Sequence, residues 1–80
     1  MNDPADTESI DHLKSLVEKN PKDVEAHMKL GNAWLKDLNG TEALDAFQKA
    51  ARLQSDNAKA YFGLAKAFDA LQRYDEMLDA

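Results

Sequence analysis

The sequence has no cysteine, which excludes a disulfide framework and any thiol chemistry. It also has no apolar run long enough to cross a membrane, and residues 1–4 do not begin a secretory signal. Eighty residues make one domain, near the lower end of the lengths that fold alone. We therefore expect a soluble cytoplasmic protein that binds no membrane.

The sequence has no excess of positive charge, because 10 lysines and arginines stand against 15 aspartates and glutamates, which gives a formal net charge of −5, and the basic residues form no run. Proteins that bind nucleic acid depend on such residues to neutralise phosphates. The charge therefore argues against a nucleic-acid partner.

Proline, glycine and β-branched residues are rare, while alanine and leucine are plentiful. This composition favours closely packed helices over sheets. Apolar residues recur at helical spacing between the few breaks. The pattern predicts an all-α fold of about five helices, each antiparallel to its neighbour and the last one truncated, near residues 5–19, 24–38, 42–54, 58–71 and 74–80.

The expected helix boundaries carry residues that end or cap helices. The Asn-Pro pair at 20–21 should stop the first helix, and Asp23 should cap the second. The Asn-Gly pair at 39–40 predicts a turn, with Thr41 as the next N-cap. Residues 55–57 offer three capping side chains before the fourth helix. A last, weaker break is expected near 72–73.

The sequence repeats itself at an offset of 34 residues. The same offset holds from Glu8 to Ala80, which chance does not readily produce. The aligned pairs include Glu8/Glu42, Asp11/Asp45, Ala26/Ala60, Leu30/Leu64, Gly31/Ala65, Ala33/Ala67, Trp34/Phe68, Glu42/Glu76 and Leu44/Leu78.

The repeated unit reads His27-x2-Leu30-Gly31-x2-Trp34 and then Ala43-x3-Phe47. This pattern resembles the tetratricopeptide repeat (TPR), a pair of antiparallel helices that stacks into an α-solenoid. The resemblance implies a single TPR domain over 1–80. It divides into a segment with the second helix of a partial repeat (1–23), a complete repeat (24–57) and a truncated repeat (58–80).

The repeat pattern also predicts how the helices pack. Glycine inside a helix costs about 1 kcal/mol relative to alanine, so Gly31 needs a packing reason. We expect Phe47 to sit over Gly31 and Ala43, and Trp34 and Phe68 to fill the core.

Residues that could carry catalysis or bind a metal are scattered. His12 and His27 lie on different predicted helices without a second ligand at metal-binding spacing, and an exposed His12 and a structural His27 are the expected roles. No phosphate-binding loop or nucleophile motif appears. We therefore expect no enzyme, no metal and no cofactor.

In TPR proteins the first helix of each repeat lines a concave groove, which implies a protein-interaction scaffold. Exposed apolar residues are common on any surface, but here several converge on one predicted face. Lysines on that face should attract an acidic or C-terminal segment of a protein or peptide partner. The predicted peptide-binding residues are Met28, Asn32, Leu35, Lys36, Lys59, Phe62, Lys66 and Asp69.

A second hypothesis is structural rather than ligand-binding. The truncated last repeat leaves an open C-terminal end with Met77 and Leu78. That end would pair two copies, making the chain a homo-oligomerisation module.

Overall fold

The computed structural model describes the backbone of residues 9–79 and the side chains of residues 9–73. This part of the chain forms four α-helices and no strand, which confirms the all-α helical-repeat prediction. The helices are α1 (Ile10–Lys19), α2 (Val24–Lys36), α3 (Gly40–Leu53) and α4 (Ala58–Asp79). The first predicted helix began at residue 5, and residues 5–8 lie outside the described part.

The expected fifth helix was wrong, because α4 continues without interruption through residues 72–73. Glutamine and arginine are good helix formers, so neither residue stops the helix. An ion pair from Arg73 Nε to Asp69 Oδ2, 3.0 Å long and one turn apart, spans the expected break. The sequence between 58 and 79 therefore forms one helix of 22 residues.

Each of the four helices begins at a polar side chain that accepts a hydrogen bond from the backbone three residues on. The donor–acceptor distances are 3.2–3.3 Å, and the accepting side chains are those of Ser9, Asp23, Asn39 and Asn57. The prediction for Asp23 is confirmed. The prediction of Thr41 as a cap was wrong, because Asn39 already accepts from the amide of Glu42 and starts α3 two residues earlier.

The end of α2 has an unusual backbone. The helix stops at Lys36, and Leu38 adopts a left-handed conformation with φ of 60°. The Leu38 amide donates to the Leu35 carbonyl at 3.0 Å, and the Asn39 amide donates to the Trp34 carbonyl at 2.9 Å. These two bonds form a Schellman motif, whose left-handed position is usually glycine.

The core is built around α3, which packs against both α2 and α4, while α1 packs against α2. Small side chains line these contacts and bring the helix backbones close together. The buried alanines are Ala26, Ala43, Ala46, Ala50, Ala51, Ala60 and Ala67.

Phe47 of α3 is the largest fully buried side chain among the described residues. One edge of its ring faces Gly31 on α2, where an added Cβ would lie 2.7 Å from the ring atoms. The opposite edge faces Gly63 on α4, where an added Cβ would overlap the ring. The expected contact between Phe47 and Gly31 is confirmed, and the matching role of Gly63 is an addition to it.

The core prediction for Phe68 was wrong, since 57% of this side chain is exposed. Phe68 lies on a face of α4 that no described helix covers. Trp34, its counterpart on α2, is half-buried and packs against the clusters around Leu30 and Phe47. Equivalent repeat positions therefore have different burial.

Leu38→Gly should raise the free energy of unfolding by about 1 kcal/mol, because glycine adopts a positive φ without the clash that a Cβ causes. Little packing is lost, since the Leu38 side chain is 68% exposed. Urea unfolding followed by circular dichroism measures the change. The control is Gln48→Gly, at an exposed position inside α3, which should lower stability by about 1 kcal/mol. A lower stability for Leu38→Gly would contradict the proposed strain.

Gly31→Leu should lower the free energy of unfolding by roughly 1–3 kcal/mol, because the new side chain must displace the enclosed Phe47 ring. The matched control is Ala65→Leu, at the repeat-equivalent position on α4, where the side chain is exposed. That variant should stay within about 0.5 kcal/mol of the parent. An unchanged melting midpoint for Gly31→Leu would show that the site is not close-packed.

Candidate functional site

Five of the eight predicted groove residues line one concavity of about 270 Å³ between α2 and α4. Phe47 and Gly63 also line it, so the packing that joins α2 to α4 through α3 forms part of this surface. The predicted residues that meet here are Met28, Asn32, Lys59, Phe62 and Lys66.

A second concavity of about 410 Å³ adjoins the first. Met28, Asn32 and Lys59 line both, so the two form one continuous surface, which we name the α2–α4 groove. The second concavity extends toward the first turn of α2 and the loop before α4. Its other lining residues are Val24, Glu25, Lys29, Gln54 and Asn57.

Phe62 is the most exposed aromatic ring among the described residues, with 64% of its surface accessible. The ammonium nitrogen of Lys66, one turn further along α4, lies 4.7 Å from the centre of that ring. A cation at this distance from an aromatic face is attracted by about 0.5–1 kcal/mol at an exposed site. An apolar surface and a positive charge therefore stand side by side in the groove.

The groove carries more positive than negative charge, although the whole chain is acidic. Lys59 and Lys66 line it and form no ion pair with the other described residues, and Glu25 is the one carboxylate among its described lining residues. Charges at contact distance act more strongly than distant ones, which water and salt screen. The local surface therefore favours an anionic group.

The loop at one end of the groove is held by hydrogen bonds. Asn57 donates its side-chain amide to Gln54 Oε1 at 2.9 Å. The same side chain caps α4 by accepting from the Ala60 amide at 3.2 Å. From the sequence, Asn57 was expected only as one of three candidate caps at 55–57, and Gln54 had no expected role. Their place in the groove depends on how the loop folds against α2, which helical periodicity does not report.

The other three predicted residues line neither concavity. Leu35 is half-buried and packs against the cluster of Ala43, Phe47 and Ala67, so much of it belongs to the core. Lys36 is exposed at the end of α2. Asp69 is exposed and forms the ion pair with Arg73.

His27 is 5% exposed, and its ring Nε2 lies 2.7 Å from the carbonyl oxygen of Pro21. Because a carbonyl only accepts, the Nε2–H group donates this bond and ties α2 to the preceding turn. His12 is exposed on α1. Among the described side chains, those of residues 9–73, no three of His, Cys, Asp or Glu come together as metal ligands would. None of the four described helices combines the length and apolarity of a membrane span.

Comparisons with known proteins agree with this architecture. A family model described as tetratricopeptide repeat matches residues 7–57 and, again, residues 35–79. Superkiller complex protein 3 of Mus musculus is 31% identical over 72 residues. This alignment covers 90% of the chain but only 5% of the mouse protein. No solved structure matches the chain.

Phe62→Ala and Phe68→Ala should each change the free energy of unfolding by less than about 1 kcal/mol, because both rings are largely exposed. Phe47→Ala should cost about 3–5 kcal/mol and unfold much of the population, because it empties the space between Gly31 and Gly63. Thermal unfolding of the three variants tests this order. A loss for Phe68→Ala as large as that for Phe47→Ala would place Phe68 in the core after all.

Proposed function

Because this chain belongs to the tetratricopeptide-repeat family, we propose that it is a scaffold that binds an extended protein segment in the α2–α4 groove. Repeats of this family generally mediate protein–protein interaction, and the family is a non-enzymatic one. The mouse relative is, by its name, a protein of a complex. That relationship supports an interaction role here, and no catalytic step is proposed.

The observation that carries the proposal is the exposed Phe62 ring beside Lys66 in the groove. An aromatic ring contributes a large contact area, and aromatic side chains are prominent among residues that dominate binding energy. Met28 adds a flexible apolar contact next to it. A ligand with an apolar side chain would cover Phe62 and remove it from water.

The proposed ligand carries a carboxylate close to its apolar side chain. Lys59 and Lys66 lie seven residues apart on α4, two helical turns, and both line the concavity that contains Phe62. They would bind an acidic side chain or a C-terminal carboxylate. Asn32, on the α2 side, would hold the ligand backbone, because its amide both donates and accepts hydrogen bonds.

Three predicted residues would contact the ligand outside the α2–α4 groove. They are Leu35, Lys36 and Asp69. Lys36 and Asp69 are exposed on α2 and α4. A longer ligand that continues beyond Asn32 and Lys66 would meet them. Two further parts of this proposal depend on the sequence alone. One is the division of the chain into three parts at residues 23 and 57, and the other is a cytoplasmic location.

Self-association through Met77 and Leu78 stays an alternative prediction, because their side chains lie outside the described part of the chain. Light scattering at several protein concentrations tests it. A molar mass that rises with concentration, and returns to the monomer value in a Met77→Lys/Leu78→Lys variant, would support self-association.

To identify the ligand class, a random-peptide display library should be selected against the immobilised chain. We expect enriched peptides to combine an apolar residue with an acidic residue or a free C-terminus. Against such a peptide, Phe62→Ala should weaken binding by roughly 1–3 kcal/mol. Lys66→Glu should weaken it most at low salt, where charge interactions are least screened. Calorimetry measures both effects.

The matched control is Phe68→Ala, which removes a ring of similar exposure from the same helix but outside the groove. It should leave peptide affinity unchanged. NMR signals of Asn32, Phe62 and Lys66 should shift when the peptide binds. If the signals of α3 shift while these three stay in place, the groove assignment is wrong.

A further inference from the structure

A further concavity of about 240 Å³, which we name the α1–α3 cleft, lies between α1 and α3. Its floor is made by α2, through the buried His27 and Leu30 and the half-buried Trp34. With 3.6 residues per turn, these three lie on the side of α2 roughly opposite Met28 and Asn32 of the α2–α4 groove. Its lining residues fall between 14 and 49, so three consecutive described helices form it.

The walls of the α1–α3 cleft carry three carboxylates and two ammonium groups. Asp45 and Lys49 on α3 neutralise each other through an ion pair of 3.1 Å. Glu18 on α1 and Glu42 on α3 form no ion pair with any described residue. These two carboxylates outnumber the remaining ammonium group, that of Lys14. The cleft therefore has a local excess of negative charge.

Lys14 shows where a cation stands in this cleft. Its ammonium nitrogen lies 5.9 Å from the centre of the Trp34 ring. This distance is close to the limit of about 6 Å at which an aromatic face attracts a cation. Lys66 lies nearer to Phe62, at 4.7 Å, although tryptophan is the better ring for this interaction. The Trp34 ring therefore holds its own lysine only weakly, and the adjoining cleft has space for a closer cation.

His27 adds a hydrogen-bond acceptor to the floor. Its Nε2–H group donates to the Pro21 carbonyl at 2.7 Å, so in the neutral ring the other nitrogen, Nδ1, accepts. Nδ1 has no hydrogen bond to the described residues, and no fully enclosed polar side-chain atom among them lacks one. Nδ1 is therefore reached by solvent, although the side chain is only 5% exposed.

We propose that the α1–α3 cleft binds an arginine side chain of a partner protein. The guanidinium group stacks on the Trp34 ring and donates hydrogen bonds to the Glu42 carboxylate. A backbone amide of the same ligand donates to His27 Nδ1, seven residues or about 10 Å along α2 from Trp34. The long arginine side chain spans most of this separation.

Arginine fits this cleft better than lysine or a neutral side chain. Its planar group stacks on an aromatic face and offers five donors in a fixed fork, whereas lysine has three donors on a compact ammonium. A neutral side chain would leave the excess negative charge of the cleft without a partner. The sign of the charge also separates the two surfaces, because the α2–α4 groove favours an anionic group.

Trp34 makes binding in the cleft directly observable, because it is the one tryptophan of the chain. The probe is N-acetyl-arginine amide, titrated while Trp34 fluorescence and the NMR spectrum are followed. We expect saturable changes at Trp34 and His27 and none at Asn32 or Phe62. The dissociation constant should be on the order of 10 mM, because the probe is a single residue.

Two matched probes test the chemistry of recognition. N-acetyl-citrulline amide has the shape of the arginine probe without its charge and should bind about fivefold more weakly. N-acetyl-lysine amide keeps the charge but cannot stack a planar group on Trp34, so it should bind about threefold more weakly.

Variants at exposed positions test the site without disturbing the core. Lys14→Met removes the chain's own cation from the Trp34 ring and should tighten the arginine probe about two- to fivefold. The double variant Glu18→Gln/Glu42→Gln should weaken it about fivefold. The matched control is Glu25→Gln in the α2–α4 groove, which should change nothing. Phe62→Ala should also leave the arginine probe unaffected, which separates this proposal from peptide binding in the groove.

Several results would overturn the inference. One is the absence of a saturable change at Trp34, and another is a shift at Asn32 and Phe62 instead. Equal binding of the citrulline probe would show that the cleft does not recognise charge, and tighter binding of the lysine probe would make it an ammonium site. Weaker binding to Lys14→Met would contradict competition for the Trp34 ring.

Discussion

The Phe47 ring, enclosed between Gly31 and Gly63, is the contact on which the rest of the structure depends. Two glycines inside helices cost about 1 kcal/mol each relative to alanine. Burial of a phenylalanine side chain stabilises the fold by roughly 1.5–3 kcal/mol. The close approach of the helix backbones adds van der Waals contacts among the buried alanines. Because one ring contacts both α2 and α4, a single residue of α3 sets the spacing between the helices on either side of it.

That spacing also produces the groove. Phe47 and Gly63 form part of its lining, and Met28 extends from the core toward the same surface. The groove is therefore an outer boundary of the core, and its width is coupled to core packing. In the proposed binding mode, the exposed Phe62 and the lysines stand on this packed support, so the groove itself would lose little conformational entropy when a segment binds.

Because the sequence repeats at an offset of 34 residues, α2 can be compared position by position with α4. The same hydrogen bond to the preceding turn is made by His27 in one repeat and by Tyr61 in the next, with different chemical groups. The tertiary contacts of the two helices nevertheless differ, since α3 covers the face of α2 that contains Gly31. Equivalent sequence positions thus share local structure while their burial depends on what packs against them.

The sequence by itself determined the local and periodic features: four of the five expected helices, the cap at Asp23, the packing of Phe47 on Gly31, and a common face for five residues that line one concavity. Helical spacing reports these because it acts over a few residues or repeats at a constant offset. Only the tertiary structure decided the exposure of Phe68, the partial burial of Leu35 and the continuity of α4 through Arg73. Burial is a property of the neighbouring helices rather than of the side chain, and a helix continues wherever no stronger interaction stops it.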